Sequence, residues 1–266
     1  MDDGRLPIGV FDSGVGGLTV LQAIRRSLPG EDYLYLGDTA RLPYGSKSPS
    51  TVQRYALNAA RHLVDRGVKL LVVACNTASS YALEEVMAAC PVPVVGVVEP
   101  GVRAALATGA RRIGVIGTEG TVRSEAYQRA LLRADRRVTV DAAACPLFVP
   151  LAEEGWGDHP VTDLVAEHYL RPLLARGIEA LILGCTHYPL LRPSLERVAG
   201  RAVRLVDSAT SVATTVVTDF GGLMDTWAGE DGIVRLQLTD ASDRFLDITR
   251  RILGGDPEHL EVVDIS

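Results

Sequence analysis

The chain has 266 residues, 47% hydrophobic and 23% charged, enough apolar material to bury one large core or two modest ones, which excludes a disordered or fibrous chain. Its formal net charge of −6 supplies no basic surplus for a nucleic-acid footprint, so no nucleic-acid partner is expected. The longest apolar stretches, Leu70 to Ala74 and Val92 to Val98, fall far short of the ~18 residues of a membrane span, so no membrane partner is expected either.

Short runs of Val, Ile and Leu alternate with longer helical patterns, the mark of parallel sheets wrapped by crossover helices. Ile8 to Phe11 reads as a buried strand, Asp12 to Gly17 as a glycine-rich turn, and Leu18 to Leu28 as a helix stopped by Pro29-Gly30. Tyr33 to Gly37 is the second strand. Ser48-Pro49 caps and starts a helix that Gly67 stops. Leu70 to Ala74 is the next strand, with Cys75 at its carboxyl end. Val92 to Val98 follows, with Pro91 and Pro93 limiting pairing at its start. Further strands are expected at Ile113 to Gly117, Val138 to Ala143, Leu181 to Gly184 and Val203 to Val206, with a clear helix from about Pro160 to Arg176. Beyond Asp207 come a helix from Ser211 to about Leu223, a strand at Ile233 to Leu238 and a helix from Ser242 to Leu253.

The two halves repeat each other. Ile8-Gly9-Val10 recurs as Ile113-Gly114-Val115, and Arg66-Gly67-Val68 with the strand leading to Cys75 recurs as Arg176-Gly177-Ile178 with the strand leading to Cys185. The expected fold is therefore α/β, two pseudo-symmetric parallel-sheet domains facing each other across a cleft. Residues 1–98 with 208–266 form the first domain, carrying Cys75, and residues 99–207 form the second, carrying Cys185.

The four cysteines, Cys75, Cys90, Cys145 and Cys185, form no C-x-x-C pair and match no common zinc-ligand spacing, so no metal is expected. The acidic segment Met1 to Arg5 and its sequel lack the features of a signal peptide, so a cytoplasmic location with reduced thiols is expected. Cys75 and Cys185 each end a strand where a helix is about to begin, the place where open α/β sheets put their ligands and where backbone N–H groups favour negative charge. Two thiols approaching a bound molecule from opposite sides suit removal of a proton from one face and delivery to the other, as in racemisation at a carbon beside a carboxylate. Asp12, Asp38, Glu153 and His187 are the titratable candidates for tuning such a pair. Each also has a plain structural reading: an Asx-turn for Asp12, a turn cap for Asp38, a solvated helix end for Glu153 and a satisfied core histidine for His187.

Six segments in order then carry a resemblance: Phe11-Asp12-Ser13-Gly14-Val15-Gly16-Gly17-Leu18, Gly37-Asp38-Thr39-Ala40-Arg41-Leu42-Pro43-Tyr44-Gly45, Ala74-Cys75-Asn76-Thr77-Ala78-Ser79, Val97-Val98-Glu99-Pro100, Cys145-Pro146-Leu147-Phe148-Val149-Pro150 with Glu153, and Gly184-Cys185-Thr186-His187-Tyr188-Pro189. Together they resemble the glutamate racemases of the aspartate/glutamate racemase superfamily. The resemblance implies interconversion of L- and D-glutamate with no cofactor, supplying D-glutamate for peptidoglycan. It implies Cys75 and Cys185 as the acid/base pair, assisted by Asp12, Glu153 and His187. It places the substrate against Asp12, Ser13, Tyr44, Gly45, Asn76, Thr77, Thr186 and His187, and a homodimer is an expectation of the family. Cys90 and Cys145 are read as structural. The competing readings are a racemase for aspartate, a cysteine hydrolase using Cys185 with His187 as base, and a nucleotide-binding module built on Gly14 to Gly17. The last turn lacks the spacing of a dinucleotide or P-loop motif.

Overall fold

In the computed structural model, residues 6–224 and 231–265 are described; the acidic segment Met1 to Arg5 read above lies outside them. Among the described residues, ten strands form two all-parallel sheets: β1 (Ile8–Asp12), β2 (Tyr33–Gly37), β3 (Leu70–Val73), β4 (Val94–Gly96), β5 (Arg112–Gly117), β6 (Thr139–Ala144), β7 (Ala180–Gly184), β8 (Arg204–Asp207), β9 (Val234–Leu238) and β10 (His259–Val262). The first sheet has the order β10-β9-β2-β1-β3-β4 and the second β6-β5-β7-β8. The run β2-β1-β3-β4 has the same topology as β6-β5-β7-β8, so the sequence repeat is a repeat of structure. The chain leaves the first sheet after β4, completes the second, and returns to add β9 beside β2.

Near-continuous apolar strands follow from burial on both faces. In β1, Ile8 and Val10 enter one apolar cluster while Phe11 enters another; in β7, Ala180 and Ile182 face one cluster and Leu181 and Leu183 the opposite one. Each fully buried aliphatic side chain contributes roughly 1.5–3 kcal/mol from its removal from water. The repeated Arg-Gly pairs stop the helices Pro49–Asp65 and Pro160–Ala175, with Gly67 and Gly177 at φ of 74° and 70° in the left-handed region. The aliphatic residue after each then packs on the repeated strand glycine. A Cβ at Gly9 would lie 2.9 Å from Val68 Cγ1, and one at Gly114 2.8 Å from Ile178 Cδ1.

Several elements differ from expectation. β4 spans only Val94 to Gly96, because Pro91 and Pro93 offer no N–H to a ladder and Val98 already opens the helix Val98–Ala107. The helix expected from Ser211 begins at Ser208, since the Asp207 carboxylate caps it by accepting from the Thr210 N–H at 2.8 Å. After Cys185 a 3-10 turn, Tyr188–Leu191, precedes the helix Arg192–Ala199. β10 was not foreseen: it is an edge strand exposed along its length, with no apolar run to announce it.

Candidate active site

The carboxyl ends of β1, β3, β5 and β7 converge where the two sheets meet, and polar side chains bridge the junction. Thr186 Oγ1 donates to Asp12 Oδ1 at 3.4 Å, Thr19 Oγ1 lies 3.1 Å from the Thr186 carbonyl, and the Thr77 and Thr118 hydroxyls are 2.9 Å apart. Both cysteines of interest are buried here. Cys75 caps the helix Asn76–Tyr81, its Sγ accepting from the Ala78 N–H at 3.4 Å and donating to Ser13 Oγ at 3.4 Å. Cys185 follows β7 directly and places its Sγ 3.8 Å from His187 Nδ1.

Their surroundings differ in charge. Burial pushes the Cys75 thiol up to about 12, and the neighbouring Asp12 carboxylate adds to the shift. Beside Cys185, burial disfavours the imidazolium of His187, but the hydrogen bond to Cys185 and the Glu153 carboxylate outweigh it and raise the ring to about 10. Glu153 is held below the usual carboxylate range: burial opposes ionisation, and His187 with Arg244 overrides it. Asp12 is raised by burial, offset in part by His187 and by the Gly14 and Gly17 N–H groups.

The remaining sequence candidates gather around this pair. Asp12 makes the Asx-turn read from sequence, accepting from the Gly14 N–H at 2.9 Å, and with its other oxygen meets Thr186. Tyr44 is buried and donates to Asp38 Oδ2 at 2.6 Å; Thr239 donates to Oδ1 at 3.0 Å, so Asp38 anchors a loop as well as following a strand. Gly45 presses on the second sheet, since a Cβ there would meet Thr118 Cβ at 2.7 Å. Asn76 Oδ1 accepts from Tyr127 at 2.7 Å and from Ser208 at 3.3 Å, leaving its buried Nδ2 without a partner. Glu153 is no solvated helix end: its side chain is 14% exposed, and Oε1 lies 3.5 Å from His187 Nε2. Cys145 is fully buried, its carbonyl accepting from Tyr188 at 2.9 Å.

Thr19, Thr118, Thr121, Tyr127 and Ser208 all stand at the junction and escaped the sequence reading. Thr118 had a signal. Aligning Ile113-Gly114-Val115 on Ile8-Gly9-Val10 sets Thr118 opposite Ser13, at the same strand end of the other half. Tyr127 and Ser208 come from helical segments that no local pattern ties to the site.

Residues 8–216 match the family described as Asp/Glu/Hydantoin racemase. The chain belongs to that family. A glutamate racemase of Geobacter metallireducens is 53% identical over 250 residues, covering 93% of each chain, and one of Aquifex aeolicus is 48% identical over 255 residues, covering 95% and 96%. Among solved structures, the glutamate racemase of Francisella tularensis in complex with D-glutamate superposes with a TM-score of 0.91 at 36% identity, covering 98% of both chains. In this racemase family setting, two structurally equivalent cysteines at one junction acquire a shared chemical context.

Proposed function

We propose that the protein is a glutamate racemase that uses no cofactor, with Cys75 and Cys185 exchanging protons with the α-carbon from opposite faces. The observation that carries the reading is the placement of two buried thiols at the ends of equivalent strands, β3 and β7, in two halves whose strand ends meet. In one direction Cys185, entering as its thiolate, takes the α-proton: the C–H bond breaks, its electron pair stays on the α-carbon and an S–H bond forms. Cys75, whose thiol holds its proton up to about pH 12, then gives that proton to the opposite face of the carbanion-like centre. The reverse reaction exchanges the roles. Asp12 serves the Cys75 side, and His187 with Glu153 serves the Cys185 side, by returning each sulfur to its starting protonation state.

Ser13, Tyr44, Gly45, Asn76, Thr77 and Thr186 hold the substrate in this reading. The unpartnered Asn76 Nδ2 supports it, being a buried donor with a fixed direction and no acceptor of its own. Neutral donors in a site shut off from water bind a carboxylate far better than they do in bulk solution. Release of D-glutamate for peptidoglycan in the cytoplasm, and assembly as a homodimer, complete the reading.

The test uses desalted protein in D₂O with L- or D-glutamate, following optical rotation and loss of the α-proton signal together. Both enantiomers are expected to lose rotation as deuterium enters the α-position. Aspartate is expected to react poorly, and faster turnover of aspartate overturns the substrate assignment. Cys75→Ala and Cys185→Ala are each expected to abolish racemisation; full activity in either rejects the two-thiol mechanism.

A further inference from the structure

A carboxylate buried beside an imidazole and gripped from its other side by a distant helix is a coupled arrangement, and Glu153 is such a group. Its Oε1 lies 3.5 Å from His187 Nε2, while its Oε2 lies 3.2 Å from Arg244 Nη2. Arg244 reaches Glu154 Oε1 at 3.1 Å as well. One helical face further along, Arg251 donates to the Glu153 carbonyl, and Gly155, at φ of 76°, leaves room for it: a Cβ there would lie 2.1 Å from Arg251 Nη1. Both arginines stand on the helix Asp243–Leu253, seven residues apart and so on one face. That helix is anchored through Ile248 and Ile252 in the core of the first sheet, whereas Phe148 and Ala152 bury the Glu153 helix in the core of the second.

We propose that Arg244 is a positioning residue that holds the Glu153 carboxylate toward His187, so that the helix Asp243–Leu253 of one half sets the proton relay beside Cys185 in the other. The inference rests on the roles assigned above to His187 and Glu153. At 3.5 Å the Glu153–His187 contact is an ion pair longer than a formed hydrogen bond, so the direction of the carboxylate is not fixed from that side alone. The second oxygen is held by Arg244 Nη2, which also meets Glu154, and this contact from the other side restricts the carboxylate's rotation. Arg244 itself is 54% exposed, so its pairs add little to folding and its loss is expected to leave the fold in place.

The experiment is a double-mutant cycle of Arg244→Met and Glu153→Gln in the full chain, with kcat, KM and the pH profile of kcat measured for both enantiomers. Arg244→Met is expected to lower kcat roughly tenfold, short of the about hundredfold that a 1 Å misplacement costs, with KM nearly unchanged. Because Arg244 helps keep Glu153 ionised, the acidic limb of the kcat profile is expected to move to higher pH in this variant. In the Glu153→Gln background the arginine substitution is expected to add nothing, and Arg244→Lys is expected to recover part of the loss. Arg250→Met removes a neighbouring guanidinium that pairs with Asp247 and Asp256 among the described residues, and is expected to keep the parental kcat. Unchanged kcat in Arg244→Met, or equal losses with and without the Glu153 carboxylate, overturns the inference. A fully active Glu153→Gln instead removes the relay role on which it rests. If Arg244→Met does not fold, Arg244→Lys run through the same cycle decides, since a lysine that reproduces the loss only when Glu153 is present supports the coupling and one that does not refutes it.

Discussion

Cys75 and Cys185 end equivalent strands, yet one thiol faces a carboxylate and the other an imidazole. That difference makes the site chemically asymmetric although its frame is symmetric. His187 is the residue whose ionisation reports it most directly. Its folded value near 10 lies above its ordinary value of 6.5, so the stability it contributes is fully present below about pH 6.5 and is lost as pH rises through 10. Urea midpoints of the parent and of His187→Asn are therefore expected to differ most at pH 6 and to converge by pH 10.5; a constant gap would mean the ring is not held as an imidazolium. Gly16 sits against the same ring. A Cβ there would lie 2.5 Å from Thr186 Oγ1 and 2.6 Å from His187 Nδ1, so Gly16→Ala is expected to destabilise by about 1–3 kcal/mol and to depress kcat, both measurable on one preparation by thermal unfolding and turnover assays.

At the scale of elements, the repeated Arg-Gly-Val and Arg-Gly-Ile segments act as helix stops and as packing devices together. Gly67→Ala and Gly177→Ala each force a Cβ into the left-handed region and are expected to cost roughly 1–2 kcal/mol in urea unfolding, with similar values in both halves. A much larger effect in one half would show that the repeat is not energetic as well as geometric. Lys69, next to the first of these segments, forms a 2.6 Å pair with Glu31 in which both side chains are nearly buried. Lys69→Met takes one charge out of this pair and is expected to lower the urea midpoint in the same assay. These elements were legible in the sequence because buried parallel strands must be apolar throughout and helix ends must carry Gly or Pro. β10 was not, since a strand exposed along its length carries no such pattern, and the turn after Cys185 was not, because Pro189 and Pro193 leave several local geometries open. Asp12, Cys75 and Cys185 could be placed from strand ends alone. Tyr127, Ser208 and Arg244 reach the junction only through the way the halves pack, which no local spacing encodes.

For the molecule as a whole, the two halves meet at the junction through hydroxyls and carboxylates there, so a ligand bound between them is expected to tie them together. Glutamate at a hundred times its Kd is expected to raise unfolding stability by about 2.7 kcal/mol, seen as a higher thermal midpoint, and no shift would mean that the folded protein does not bind it. The return of the chain from the second sheet to the first also bears on how the protein is made. β2 is wholly buried, and the strand that covers its outer edge is β9, whose neighbourhood is joined to it by contacts such as Thr39 to Asp240, 201 residues apart. A ribosome adding about 5–20 residues per second takes roughly 10–40 s to cross that gap. Throughout that interval the nascent chain presents Tyr33-Leu34-Tyr35-Leu36 as an open, apolar strand edge, a template for pairing with a neighbouring polypeptide. Yield of folded protein in a cell should therefore depend on chaperone supply during translation far more than the finished, closed sheet would suggest.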